Sequence, residues 1–451
     1  MIKRIAIATI GTLGDVQPFV ALAQTLKRRG YSVVLGTSGD FEAFVTGHGI
    51  EFFSLGGDVQ AFLRRSQFDS AMTKSALLYA PGLLRDGQKI LKEAGKRAWQ
   101  MAQDADAIVF QNNTTFCIDI AEALGIPAIM TVFQPLNPTN EFPYFGYSGQ
   151  PVDPLMYRFN REPFAKSPSL DPMINKLSYV VQQAQQSYWD MPRDQLRRGL
   201  LGLKPKKKGG FYTNSRGEPL VTLHAYSPSI SPAPGDWLDT NIITGFWRLE
   251  DTTGWMPSPD FEEFLGKGSQ PVYLGFGSML WGAQRNSDII TKALRAWGGR
   301  AVIAEGWGGL KPESIPDTIH MIDRAPHSEL FKYVKAVVHH GGAGTTHTGL
   351  YAGRPSFAVP QFFDQPYWGQ LLYELGVGPP PVRLRKLTPQ NLASALEDLD
   401  TTPAYARAAE ALAEKLKLED GTNLAVDVIE ETIADYNALG SRDYHLIGAA
   451  S

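Results

Sequence analysis

An almost wholly apolar run, Ile5 to Ile10, opens the hydrophobic pattern and ends in the turn Gly11-Thr12-Leu13-Gly14-Asp15. Phe19, Val20, Leu22, Ala23 and Leu26 then fall at helical spacing. Gly30 sits where a helix C-cap glycine belongs, and Tyr31 to Leu35 forms a second apolar run. Strand, helix and strand in so short a span define a βαβ unit, which predicts a parallel sheet buried on both faces. The rhythm returns with the strand Ala107 to Phe110, the helix Ile118 to Leu124, Gly125, and the strand Ala128 to Val132. Leu83 to Ala102 predicts one amphipathic helix, with Leu84, Ile90, Leu91, Ala94, Ala98 and Trp99 inside and Lys89, Lys92, Lys96 and Arg97 outside.

The texture changes between about Leu203 and Pro259. Lys204 to Gly210 is a charged loop, and Ser227-Pro228 through Gly235 is rich in turn residues. Alternation then restarts with strands at Val272 to Phe276, Ala301 to Ala304 and Ala336 to His339, and a helix at Ala293 to Trp297. The pattern predicts two α/β domains joined near residues 228–245. A chain of 451 residues is long enough for two or three domains.

Composition narrows the class. Hydrophobic residues at 43% and charged residues at 20% are ordinary for a globular protein. A net charge of -3 gives no bulk attraction to nucleic acid. The single cysteine, Cys117, excludes an internal disulfide and fits a reducing compartment. The N-terminal run is shorter than the about 7–15 apolar residues of a secretory signal. No stretch approaches the about 18 of a membrane span, so a cytoplasmic location is expected. The basic face of the 83–102 helix is first a solvated face; its second use would be peripheral membrane contact.

The densest chemistry lies in Ala336-Val337-Val338-His339-His340-Gly341-Gly342-Ala343-Gly344-Thr345-Thr346, a strand entering a glycine turn and then a helix from about Thr346 to Ala352. Glycines let backbone N–H groups approach an anion, and a helix N-terminus favours negative charge. A histidine there can donate a charge-assisted hydrogen bond to phosphate. No lysine follows the glycines, which excludes a Walker-type loop. Farther on, Asp364 and Gln365 follow the strand Ser356 to Val359, and side by side they can accept from and donate to sugar hydroxyls. In isolation both segments also fit plain turns.

Taken together these segments resemble the donor site of the GT-B nucleotide-sugar glycosyltransferases, the sterol and antibiotic glucosyltransferase branch in particular. The match rests on HHGGAGTT, GRPSFAVP and FFDQPYW, on Thr9 to Pro18, which is similar to that branch's GSRGDVQP, and on Val272 to Met279. Asp323 to Phe331 is similar to its nucleotide-base segment. The resemblance is weaker across residues 55–220.

It implies two Rossmann-like domains facing across a cleft: 1–228 binding an acceptor, 229–245 as linker, and 246–451 binding a nucleotide-sugar. It implies Asp15 as catalytic base, and Thr12, Ser278, His339, His340, Gly342, Ala343, Gly344 and Thr345 at the donor phosphates. Asp364 and Gln365 would hold the sugar, with Arg324 and Ala325 in the base region. Leu13 replaces the family's usual Arg.

The expected reaction is inverting transfer of a hexose, glucose foremost, from a UDP-sugar co-substrate to a lipophilic polycyclic alcohol such as a sterol or triterpenoid. An antibiotic aglycone with a UDP- or dTDP-sugar is the alternative. Outside that class stand an epimerase or hydrolase of the nucleotide-sugar and a non-catalytic binding relative. No metal or other cofactor is expected: the triplets Asp104-Ala105-Asp106 and Asp398-Leu399-Asp400 sit in ordinary acidic contexts. The aromatic loop Phe142 to Tyr147 suits an apolar acceptor cleft or core packing. At Asp15 the helix dipole would lower the pKa and burial would raise it, a competition the sequence leaves open.

Overall fold

The computed structural model describes residues 3–57, 76–142, 144, 175–180, 182–183, 191–205, 212–214, 216–250, 254–276, 283–304, 316–323, 325–361 and 363–443. The first half builds β1 (Arg4–Ala8), α1 (Leu13–Arg28), β2 (Ser32–Thr37), α2 (Glu42–Gly47), β3 (Glu51–Ser54), α3 (Ala76–Met101), β4 (Ala107–Gln111), α4 (Phe116–Leu124) and β5 (Ala128–Val132). After α5 (Met191–Gly199), β6 (Thr222–His224) and β7 (Asn241–Ile243) complete a sheet in the order β3-β2-β1-β4-β5-β6-β7. Every pairing in it is parallel.

Alternation along β1 sends Ile5 and Ile7 to one face, against Phe19, Val20 and Leu22 of α1. Ala6 and Ala8 face the other way, toward Ala94 and Ala98 of α3 and the α4 residues Ile118 and Ile120. Gly30 (φ +92°) and Gly125 (φ +68°) end α1 and α4 in the left-handed conformation that glycine adopts without strain. Lys89, Lys92 and Lys96 lie on the exposed side of α3, as the periodicity requires.

The second half contains α6 (Pro259–Gly266), β8 (Val272–Gly275), α7 (Ala283–Trp297), β9 (Ala301–Ala304), β10 (Ile319–Ile322), α8 (His327–Leu330), β11 (Ala336–His339), α9 (Ala343–Tyr351), β12 (Ser356–Ala358) and α10 (Gln365–Glu374). Its parallel sheet runs β10-β9-β8-β11-β12. Three helices follow, α11 (Pro389–Thr401), α12 (Pro403–Leu416) and α13 (Gly421–Asp443).

The domain boundaries differ from the pattern reading at two places. Residues 229–245 are not a bare linker, because β7 lies inside them and pairs with β6. Residues 246–451 are not one domain either: Ala425, Val426 and Ile429 of α13 pack in the same core as Phe19 and Leu22. Thr25 Oγ1 donates to Thr422 Oγ1 at 3.0 Å, and Arg29 pairs with Asp427. A terminal helix with an apolar stripe goes to whichever sheet has bare surface, and sequence position does not decide which.

The connector is packed rather than loose. Tyr226 and Ile230 are buried among Leu350, Trp368 and Leu372 of the second half. The Ser227 N–H donates to His347 Nε2 at 3.1 Å, and the hydroxyls of Ser227 and Ser229 each donate to Glu419 at 2.7 Å.

Candidate functional site

In each sheet the chain order reverses beside the first strand, between β1 and β4 and between β8 and β11. Ligands of open parallel sheets bind at such points, outside the carboxyl ends of the strands. The residues singled out from sequence lie there: Asp15 just after β1, His339 at the end of β11.

Asp15 occupies the first turn of α1, whose N-cap is Thr12. Its Oδ2 accepts from the Thr12 N–H at 2.6 Å and from Thr12 Oγ1 at 3.0 Å. Its Oδ1 accepts from Gln111 Nε2 at 2.6 Å. Burial raises the pKa of Asp15 above its ordinary value, against the lowering effect of the three hydrogen bonds. Desolvation thus outweighs the hydrogen bonds, in the direction the sequence analysis gave to burial. Thr12 is engaged with the carboxylate through both its N–H and its hydroxyl. Leu13 is 46% exposed.

The phosphate turn starts from a fully buried His339. Its Nδ1 accepts from the Gly341 N–H at 3.0 Å, which leaves the proton of the neutral ring on Nε2. Burial holds the His339 pKa well below its usual range, and His340 and His327 push the same way. The imidazole is thus a neutral donor, and a bond from it to phosphate would be charge-assisted by the anion alone. Among the described residues Nε2 has no hydrogen-bond partner.

Gly341 has φ +83°, and a Cβ there would lie 2.7 Å from the Gln365 carbonyl oxygen. At Gly342 a Cβ would meet His340 Nε2 at 2.5 Å. Helix α9 begins at Ala343, three residues earlier than the pattern placed it, and the Thr346 N–H closes the first bond to the Gly342 carbonyl. The amides of Ala343, Gly344 and Thr345 belong to the N-terminal turn of that helix, whose donors an anion can satisfy.

Asp364 and Gln365 sit where α10 begins, after Phe363, whose φ of +52° is unusual for a non-glycine residue. Asp364 Oδ2 accepts from Trp368 Nε1 at 2.8 Å, and Gln365 Oε1 accepts from the Gln361 N–H at 2.9 Å. Burial pushes the Asp364 pKa up to about 6, with a further contribution from the charge on Asp15. The charge on Asp15 thus reaches Asp364 although the two lie far apart in sequence.

Ser278 and Arg324 lie outside the described residues, as do Pro143 and residues 145–147 of the aromatic loop. Ala325 is half-buried beside Phe331 and Tyr273; in the same segment His327 Nε2 bonds the Tyr273 hydroxyl at 3.0 Å and its ring stacks on Phe331. Of the acidic triplets, Asp106 accepts from the Arg4 N–H at 2.7 Å and Asp400 pairs with Lys335. Sequence reasoning missed Gln111. Its only signal was a polar residue closing an apolar strand, and nothing in the sequence placed that strand next to β1.

Two parallel sheets with the site at both switch points are the GT-B architecture. Solved structures agree: the glycotransferase of kitacinnamycin superposes with a TM-score of 0.65 at 19% identity, covering 95% of this chain and 99% of that one. Glycosyltransferase VinC in complex with DTDP gives 0.63 at 18% identity, covering 96% and 99%.

Residues 5–143 match the glycosyltransferase family 28 N-terminal domain, and residues 303–430 match the erythromycin biosynthesis protein CIII-like C-terminal domain. A sterol 3-beta-glucosyltransferase of Arabidopsis thaliana is 33% identical over 94% of this chain and 67% of its own length. An Aspergillus fumigatus sterol 3-beta-glucosyltransferase is 30% identical over 94% of this chain, which spans only 29% of that protein. The O-mycaminosyltylonolide 6-deoxyallosyltransferase of Streptomyces fradiae is 31% identical over 95% of this chain and 97% of its own. The chain belongs to the GT-B nucleotide-sugar glycosyltransferases, in the branch that holds these sterol and antibiotic enzymes. Among the described residues no helix is long and apolar enough to cross a membrane.

Proposed function

We propose that this chain transfers a hexose, glucose foremost, from a UDP-sugar to a hydroxyl of a lipophilic polycyclic alcohol such as a sterol, with inversion at the anomeric carbon. The observation that carries the reading is that the buried carboxylate of Asp15 lies at the switch point of the first sheet and the buried His339, whose Nε2 has no partner among the described residues, at that of the second. The sterol enzymes among the relatives supply the acceptor class.

In the proposed reaction the acceptor hydroxyl gives its proton to Asp15 as its oxygen attacks the anomeric carbon. The bond from that carbon to the diphosphate breaks, and its electrons leave with the nucleotide. His339 Nε2–H and the amides of Gly342 to Thr345 would stabilise the growing negative charge. Ser278 is assigned to the same charge, Asp364 and Gln365 to the sugar hydroxyls, and Arg324 with Ala325 to the base region. Thr12 holds Asp15. The first half would carry the acceptor and the second the donor, in a cytoplasmic enzyme that needs no metal.

An antibiotic-type aglycone with a UDP- or dTDP-sugar is the second reading, favoured by the near full-length match to the Streptomyces fradiae enzyme. The test is a product scan pairing UDP-glucose and dTDP-glucose with cholesterol, a triterpenoid and a macrolide aglycone. A β-glucoside of cholesterol or the triterpenoid supports the first reading, and a product with the macrolide alone selects the second. Sugar released or epimerised with no acceptor present would overturn both.

A further inference from the structure

Gln111 closes β4 and is 2% exposed, yet its amide is spent on a single polar pair. The fully buried Thr9 donates from Oγ1 to Gln111 Oε1 at 2.6 Å. The ionised Asp15 carboxylate can only accept, so it sets which end of the amide is which: Nε2–H faces Asp15 and donates to Oδ1 at 2.6 Å, while Thr9 Oγ1, also 3.2 Å from the Asp15 carbonyl, supports the far end. The oxygens of Asp15 are then unequal. Oδ2 takes two bonds from Thr12, enough to fill its two in-plane lone pairs, while Oδ1 takes one and keeps the other.

We infer that Gln111 is a positioning residue for the transfer: held by Thr9, it pins the carboxylate so that Oδ1 presents its remaining lone pair to the acceptor hydroxyl. The inference rests on the reading of Asp15 as base. The proton moves from the acceptor oxygen to Oδ1, and Gln111 gives up no proton and touches no reacting atom. A neutral amide suits the task. Toward Asp15 its Nε2–H can only donate, so it holds the carboxylate in its ionised form, whereas an acid in its place would compete for the proton. From the second half Asp364 senses the charge on Asp15, which opposes its ionisation.

The test has two arms. In the first, the Asp15 carboxyl is titrated by carbon-13 NMR in the free protein, its signal identified by its loss in Asp15→Asn. Gln111→Met, similar in length and unable to donate, should raise the Asp15 pKa by about one unit. Thr9→Val, which removes the support at the far end of the amide, should raise it by less. In the second arm, with UDP-glucose and cholesterol as probes, Gln111→Met should lower kcat about tenfold at near-neutral pH. The donor KM should stay within about twofold, and the acid limb of the rate profile should move upward with the NMR value.

An Asp15 signal that titrates alike in wild type and Gln111→Met overturns the inference, as does a loss of kcat with the acid limb unmoved. Should Gln111→Met not fold, an unshifted Thr9→Val overturns it equally. Failure of wild type to glucosylate cholesterol would count against the acceptor reading alone, since the NMR arm needs no substrate.

Discussion

The charge on Asp15, in the first turn after β1, raises the pKa of Asp364 at the start of α10. Asp15 lies in the helix after the first strand of one sheet and Asp364 caps the helix after the last strand of the other, and neither takes part in a described salt bridge. Buried carboxylates without a countercharge are poor for stability, and such placement is characteristic of a functional site.

Asp15→Asn should abolish transfer while calorimetric donor affinity stays within a few-fold. Because burial raises the Asp15 pKa, the wild-type rate should fall with decreasing pH from a point above the ordinary carboxylate range. Near-normal turnover in the variant would remove Asp15 from the mechanism.

At Asp364 the sign can be worked through. Its folded-state pKa, about 6, lies above the ordinary value, so between the two the native state binds more protons than the unfolded state. This group's contribution to stability is therefore most favourable at low pH and declines as pH rises through about 6. Asp364→Asn should raise Tm at pH 8 and leave it nearly unchanged at pH 4. The same variant should weaken donor binding by about 1.5–3 kcal/mol, the range for a hydrogen bond to a charged group. Paired thermal melts and donor titrations check both halves; a lower Tm at pH 8 would contradict the burial argument.

His339→Ala should lower kcat/KM by about 2–4 kcal/mol, shared between kcat and donor KM. Since burial keeps the ring neutral, no limb in the wild-type rate profile between pH 6 and 8 should vanish in the variant. A limb near pH 6.5 lost with the side chain would mean that the imidazolium acts instead.

Gly341→Ala meets two penalties, a φ of +83° and a Cβ placed 2.7 Å from the Gln365 carbonyl. It should cost about 1–3 kcal/mol in denaturant melts and weaken donor binding by displacing Gln365. For stability Gly344→Ala is the control, because a Cβ there meets open space.

Transfer should persist in excess EDTA. A large loss restored by magnesium or manganese would overturn the assignment of diphosphate stabilisation to His339 and the α9 amides.

Much of the architecture was legible because buried parallel strands demand apolar runs. Ala128 to Val132, Ala301 to Ala304 and Ala336 to His339 are strands with the ends the pattern set. The strands it passed over, β3, β6, β7 and β10, are broken by polar residues so that none holds three apolar residues in a row, and no apolar run registers. Glycine punctuation was equally plain, since Gly30, Gly125 and Gly341 all stand at positive φ. The sequence by itself thus determined two parallel sheets, a phosphate-type turn at His339 to Thr345, and a carboxylate after the first strand.

Tertiary structure decided what those parts do to one another. Strand order set β4 beside β1 and brought Gln111 to Asp15. The packing of α13 on α1 gave the first core its last helix. Burial settled the direction of the Asp15 pKa and the neutrality of His339. Desolvation and hydrogen-bond partnership depend on neighbours distant in the chain, and a linear pattern of polar and apolar residues does not contain them.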